Sequence, residues 1–319
     1  MTNSTLQPHV SSIGQASVGG AATNFSEVQR ALAVAAVQVQ KILETVLPAV
    51  DGQHAMVKEA MRYAVFVGGK RLRPFLVMEC ARLFGVPAPR ALRAASAIEL
   101  LHTYSLVHDD LPCMDDDVLR RGQPTVHIRF DEATAVLAGD GLLTLAFEVM
   151  VDPATHPSAD VRCLLATRLA QAAGSNGVVG GQMMDMLAPK QEFTSDEIIT
   201  LQRMKTGALF EFACEAGAIL GNAEMEDRRR LRVYARDLGL AFQIVDDLID
   251  ALGSVEKAGK AVSKDQAQGK ATLVSRLGYA DARLKAEMLA DRAVEALSTF
   301  DGVADTLRLL PHYLLTRES

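Results

Sequence analysis

Apolar side chains recur at intervals of three and four over residues 26–48, 54–67, 72–84, 89–110, 132–150, 159–175, 195–221, 226–251, 271–298 and 303–315. That period gathers them on one face of a helix, so each segment is expected to be helical. Turn chemistry punctuates the pattern at Gly68-Gly69, Pro87 and Pro89, Pro153 and Pro157, Gly180-Gly181 and Gly253. No stretch alternates β-branched and polar residues between turns. The pattern therefore predicts an all-α single domain. Residues 1–24 are small and polar and are expected to form a disordered tail. No Pro- or Ser-rich linker divides 25–319, which is expected to be one domain.

Two polar stripes interrupt the apolar helices. His102, Ser105 and Asp109 share one stripe on the segment that runs into Asp109-Asp110-Leu-Pro-Cys-Met-Asp115-Asp116-Asp117. Gln243, Asp246, Asp247 and Asp250 share another. Carboxylates packed this closely repel one another, more so away from water, so a cation is expected between them. Asp246 and Asp250 are one helical turn apart and can reach one metal or a pair. Pro112 disfavours an unbroken helix in the first cluster. The helix is expected to end or bulge there, with Asp115 returning from a loop. Either cluster alone reads more simply as a solvated helix end. Two together, each continuing an apolar helix, favour a site for a hard cation such as Mg²⁺.

Composition narrows the chemistry. The 319 residues are 49% apolar with no tryptophan, which suits close-packed Ala, Leu and Val helices. The net charge of −6 argues against a general nucleic-acid surface. The four cysteines form no Cys-x-x-Cys pair, which disfavours zinc and disulfide scaffolds and fits a cytoplasmic protein. No uninterrupted apolar run reaches the roughly 20 residues of a membrane span, and no secretory signal is legible. Glu99-Leu-Leu-His102 matches half of a di-iron pattern, but no second Glu-x-x-His exists.

The basic residues of interest are therefore local. Gly68-Gly69-Lys70-Arg71-Leu72-Arg73-Pro74 combines backbone freedom with cations, as an anion site requires. Arg120 and Arg121 follow the first acidic cluster; they can neutralise a bound diphosphate or pair with Asp115–Asp117. Lys205-Thr206-Gly207 carries a glycine in a helical pattern, which hints at a kink or a close approach. Lys260 and Lys270 sit in a polar stretch that could close over a polyanion. Gly180-Gly181-Gln182 and Asp185 read first as a tight helix contact.

Taken together, these motifs resemble the trans-isoprenyl diphosphate synthases, and among them the bacterial farnesyl diphosphate synthases. The resemblance spans roughly 27–317. It rests on Gly68–Pro74, His102 through Asp117, Leu119-Arg120-Arg121-Gly122, Leu137-Ala-Gly-Asp140, Gly180-Gly181-Gln182, Lys205-Thr206-Gly207, Phe242 through Asp250, and Asp265 with Gly269-Lys270. It implies antiparallel helices around a central cavity, a homodimer, and Mg²⁺ (with Mn²⁺ as a substitute) at Asp109, Asp110, Asp115, Asp246, Asp247 and Asp250. It implies allylic diphosphate and isopentenyl diphosphate as substrates. Arg120, Lys205 and Lys260 would grip the first, and Lys70, Arg73, His102 and Arg121 the second. Thr206 and Gln243 would help to stabilise an allylic cation. The stretch Ala261-Val262-Ser263-Lys264 departs from the family pattern after the loop lysine.

A bulky Tyr104 with Ser105 beside it, followed by four residues between Asp110 and Asp115, resembles synthases that stop at farnesyl (C15). Helix geometry puts Ser105 rather than Tyr104 on the Asp109 stripe. A geranylgeranyl (C20) product is the alternative. A terpene cyclase would lack Gly68–Pro74, and a silent regulatory homologue would lose an Asp cluster.

Overall fold

The computed structural model describes the backbone of residues 18–257 and 272–317, and side chains over 25–252 and 272–317. It is an all-α bundle. The helices are α1 (Val18–Val46), α2 (Ala55–Phe66), α3 (Leu72–Leu83), α4 (Ala88–Asp109), α5 (Val126–Arg129), α6 (Glu132–Val151), α7 (Ala159–Ala173) and α8 (Val178–Leu187). They continue as α9 (Ser195–Gln202), α10 (Ala208–Leu220), α11 (Met225–Lys257), α12 (Leu273–Leu277), α13 (Tyr279–Ala296) and α14 (Asp305–Leu315). Strands β1 (Leu119–Arg120) and β2 (Gln123–Pro124) make one small antiparallel hairpin. Helix α1 begins ahead of the tail boundary expected at residue 24; residues 1–17 lie outside the described ones.

Helices α4 and α10 form the centre. Both are buried nearly all round, as expected of helices without a polar face. Small side chains let them approach their neighbours. On α10, a Cβ added at Gly217 would stand 2.4 Å from the backbone nitrogen of Ala81 on α3. Helix α6 is long and apolar enough to cross a membrane by composition, yet it packs along α4, α2 and α7. Gly139 of α6 admits the His108 ring, whose protonated Nε2 donates to Val136 O at 3.0 Å. Local chemistry sets several starts: Asp131 caps α6, Ser158 caps α7, and Thr194 and Glu197 form a capping box on α9.

Helix α14 carries the chain back across the bundle although Pro311 lies inside it. Proline has no N–H, so the carbonyl of Leu307, four residues earlier, loses its helical donor. The buried Tyr234 hydroxyl of α11 supplies one at 2.9 Å. Tyr234→Phe is expected to cost about 1–3 kcal/mol, the cost of an unsatisfied buried carbonyl. Pro311→Ala restores a backbone donor, so denaturant unfolding of the double variant should show less than the summed loss. Strict additivity would contradict this account of the helix.

Candidate active site

The first acidic wall is the end of α4. The helix stops at Asp109, and the chain turns back so that Asp115 N donates to Asp109 O at 2.9 Å. Asp116 takes a left-handed conformation (φ 51°) to make this turn. Asp115 thus returns from a loop, as Pro112 suggests. Burial pushes the Asp109 carboxyl up to about 7, with Asp115 and Asp110 adding repulsion, while Lys205 and Arg120 pull it down. Asp110 points elsewhere. Both its oxygens accept from the Arg120 guanidinium, at 2.8 and 3.0 Å from Nε and 2.6 Å from Nη2. Burial raises its carboxyl too, and Arg120 opposes the rise. Asp110, expected among the metal ligands, is therefore engaged by Arg120.

The second wall is the α11 stripe. Asp246 faces the cavity and pairs with Arg317 Nη1 at 3.1 Å. Burial raises its carboxyl, while Arg317, Lys70 and Arg73 lower it. Asp247 turns inward and accepts from the Gln243 and Gln202 amides at 3.1 and 3.0 Å. Burial pushes it up to about 7. Asp250 is exposed at the outer end of the stripe.

Beside the second wall lies a cavity of about 1060 Å³, lined by Asp246 but not by Asp109, Asp115 or Lys205. It brings together Lys70, Arg73, His102, Arg120, Arg121, Thr206, Gln243 and Asp246 from the sequence expectations. The loop before α3 builds the cationic side. Arg71 is left-handed (φ 49°) and buried, with its guanidinium on Glu99 and on Val65 O. Glu99 is thus a structural anchor, not a metal ligand. Gly69 has φ 134°, and a Cβ there would stand 2.5 Å from the Arg121 guanidinium, so glycine alone lets Arg121 cover the loop. Arg73 Nη1 meets His102 Nε2 at 3.2 Å. Arginine only donates, so that nitrogen accepts and the ring is neutral with its proton on Nδ1. Burial holds His102 well below the usual histidine range, with Arg73 and Arg121 adding to the effect.

Residues 54–300 match the polyprenyl synthetase family model. The chain belongs to the polyprenyl synthetase family. It is 41% identical to a farnesyl diphosphate synthase of Escherichia coli over 88% of this chain and 95% of that one. It is 47% identical to one from Geobacillus stearothermophilus over 72% of this chain and 78% of that one. A chloroplastic geranylgeranyl pyrophosphate synthase of Arabidopsis thaliana shares 43% identity over 82% of this chain and 75% of its own. A crystal structure described as an FPP/GFPP synthase from Zymomonas mobilis superposes with a TM-score of 0.84 at 45% identity, covering 91% of this chain and 99% of that one.

In this polyprenyl synthetase a π-helical turn, Arg203–Gly207, joins α9 to α10 and carries Lys205 and Thr206. Gly181 of α8 packs against it; a Cβ there would stand 2.2 Å from the Lys205 backbone nitrogen. Lys205 Nζ pairs with Asp185 at 2.5 Å, on the Asp109 side of the pocket. Tyr104 and Ser105 are buried in α4, with the Tyr104 ring edge-on to His108. Neither lines the cavity described above. Lys260, Asp265 and Lys270 lie outside the described residues. Sequence reasoning missed Arg317, which stacks over Phe242 at 4.9 Å and reaches Asp246 from the end of α14. It missed Gln202 as well, because nothing marks a lone glutamine until its partner is seen.

Among the described residues, no three His, Cys, Asp or Glu side chains converge as a ready cage for one ion. The donor set nevertheless fits a hard cation that keeps waters and shares substrate oxygens. Asp109 is a half-buried carboxylate with Asp115 and Asp110 close enough to repel it. Its folded carboxyl titrates at about 7 against the ordinary 3.8, so the native state holds the extra proton between those values. Stability of the metal-free protein should then fall as pH rises from about 4 to 7 and level off above that. Asp109→Asn should lose activity but unfold later in EDTA, with an advantage at pH 8 exceeding that at pH 5 by about 1–3 kcal/mol. An equal effect at both pH values in thermal unfolding would contradict the assignment.

Proposed function

We propose that this polyprenyl synthetase condenses an allylic diphosphate with isopentenyl diphosphate, and that its principal product is farnesyl diphosphate. The observation that carries the reading is a cavity of about 1060 Å³ that gathers Lys70, Arg73, Arg120 and Arg121 beside Asp246, Thr206 and Gln243. Two diphosphates need two separate cationic grips. Lys70, Arg73 and Arg121 supply one, with His102 holding Arg73 in place. Arg120 and Lys205 supply the other, joined by Lys260. Mg²⁺ or Mn²⁺ held by Asp109, Asp115 and Asp246, with Asp110, Asp247 and Asp250 around them, would supply charge to the leaving diphosphate oxygens.

The allylic C–O bond breaks and its electron pair leaves with the diphosphate. The isopentenyl double bond then attacks the allylic carbon, and a C–C bond forms. A proton is lost from the new cation to the released diphosphate. Fixed cations at the leaving group act where negative charge develops. Thr206 and Gln243 turn oxygen toward the positive carbon. The Ala- and Leu-rich walls keep out water that would quench it. Tyr104, five residues before Asp109 on α4 and outside the cavity lining, is assigned as the floor that stops growth at C15 on the family resemblance alone.

The reading includes a cytoplasmic homodimer of one catalytic domain over 25–319, preceded by a tail. The outward face of α6, with Val136 41% and Leu137 58% exposed, offers the apolar surface for such a dimer. No nucleic acid is a partner.

Incubation with dimethylallyl and isopentenyl diphosphates and Mg²⁺ should yield C15, and alanine at Asp109, Asp115 or Asp246 should cut turnover by about 10³-fold or more. No condensation would refute the reading; a dominant C20 product would favour the geranylgeranyl alternative. Tyr104→Ala should lengthen the products. Unchanged length would remove Tyr104 as the floor.

A further inference from the structure

The second acidic wall contains a chain of hydrogen bonds that fixes which way two amides and one hydroxyl point. We propose that Asp247 is a positioning residue rather than a metal ligand: it turns the Gln243 amide so that the Thr206 hydroxyl donates away from the reacting carbon and presents its lone pairs to it. The inference rests on the prenyl-transfer reading and assigns polarity within that same site.

A carboxylate oxygen that carries no proton only accepts. Asp247 Oδ1 takes the Gln243 amide N–H at 3.1 Å, and Oδ2 takes that of Gln202 at 3.0 Å. Both oxygens are thus engaged by neutral amides. The Gln202 carbonyl oxygen is left buried without a partner. Such an orphan costs about 1–3 kcal/mol. Reversing that amide would set its carbonyl against the carboxylate, so the bond to Asp247 decides the orientation. The same logic reaches Gln243. With its N–H₂ on Asp247, its Oε1 faces Thr206 and accepts from Oγ1 at 3.1 Å.

Thr206 has one hydroxyl proton, and this bond uses it. Its remaining capacity is two lone pairs. Thr206 and Gln243 line the cavity, and Asp247 does not. The wall facing the pocket therefore shows oxygen lone pairs, the sign that stabilises a developing cation. Were the Gln243 amide reversed, Thr206 would meet an N–H and its own proton would turn toward the cavity. Asp246, one residue earlier, faces the cavity and pairs with the Arg317 guanidinium instead. Neighbouring helix positions point about 100° apart, which separates a metal-facing from an amide-facing aspartate.

Two readouts test this. The first is a crystal structure with Mn²⁺ and a thiolo analogue of dimethylallyl diphosphate that cannot ionise. Every Mn²⁺ should lie more than about 3.5 Å from both Asp247 oxygens, whereas ligation would bring one to about 2.1 Å. A metal bound to Asp247 overturns the proposal. The second is kinetic. Asp247→Asn lets the Gln243 amide reverse, so kcat should fall about 10²-fold while KM for each diphosphate stays within about threefold. Thr206→Val should lose kcat similarly, and the double variant should be no slower than the worse single variant, since both act through one hydroxyl. Additive losses, or an unchanged kcat in Asp247→Asn, overturn it. If that variant does not fold, Asp247→Ser repeats the measurement. A wild type that performs no condensation removes the prenyl-transfer reading itself, a result distinct from either.

Discussion

The architecture depends on burying like charges that nothing in the protein fully neutralises. Asp109 and Asp247 sit deep enough for burial to push both carboxyls to about 7. Asp110 and Asp246 escape part of that cost through Arg120 and Arg317. A fold aimed only at stability would replace these groups with apolar ones. Keeping them makes the pocket ready for added positive charge. The residual repulsion is the stored tendency to take up cations with an anionic substrate.

Close approach supplies the rigidity. Gly217 brings α10 against α3, Gly181 brings α8 against the π turn, and Gly69 lets Arg121 cover the loop before α3. The π turn itself places two consecutive polar residues, Lys205 and Thr206, on the two sides of the chemistry. Lys205 serves the Asp109 wall, and Thr206 serves the Gln243 side. A regular α-helix would turn adjacent side chains through a different angle. Pro311 carries a comparable local cost, which Tyr234 offsets, and the helix it interrupts delivers Arg317 to Asp246.

Much of this was legible in the chain. Helical periodicity located the long helices, Pro112 announced the return of Asp115, and Gly207 announced the irregular turn. Helix α8 escaped the periodic pattern because Gly180 and Gly181 punctuate it, while the tight helix contact expected of these glycines is what Gly181 makes against the π turn. The roles of adjacent aspartates were not legible. Asp109 and Asp110 look identical in a string of letters, as do Asp246 and Asp247. Only their partners tell them apart: Arg120 for Asp110 and two glutamines for Asp247. Arg317 carries no motif, and its role depends on a chain end folding back across the bundle.

The central claim is that the two walls are completed jointly by metal and diphosphate. Calorimetry of Mg²⁺ binding to the metal-free protein, with and without the thiolo allylic analogue, tests it most directly. Mg²⁺ alone should bind weakly and at least about 10²-fold more tightly with the analogue present, and the reciprocal experiment must show the same factor. Equal Mg²⁺ affinity with and without the analogue, or analogue affinity unchanged by EDTA, would contradict the account.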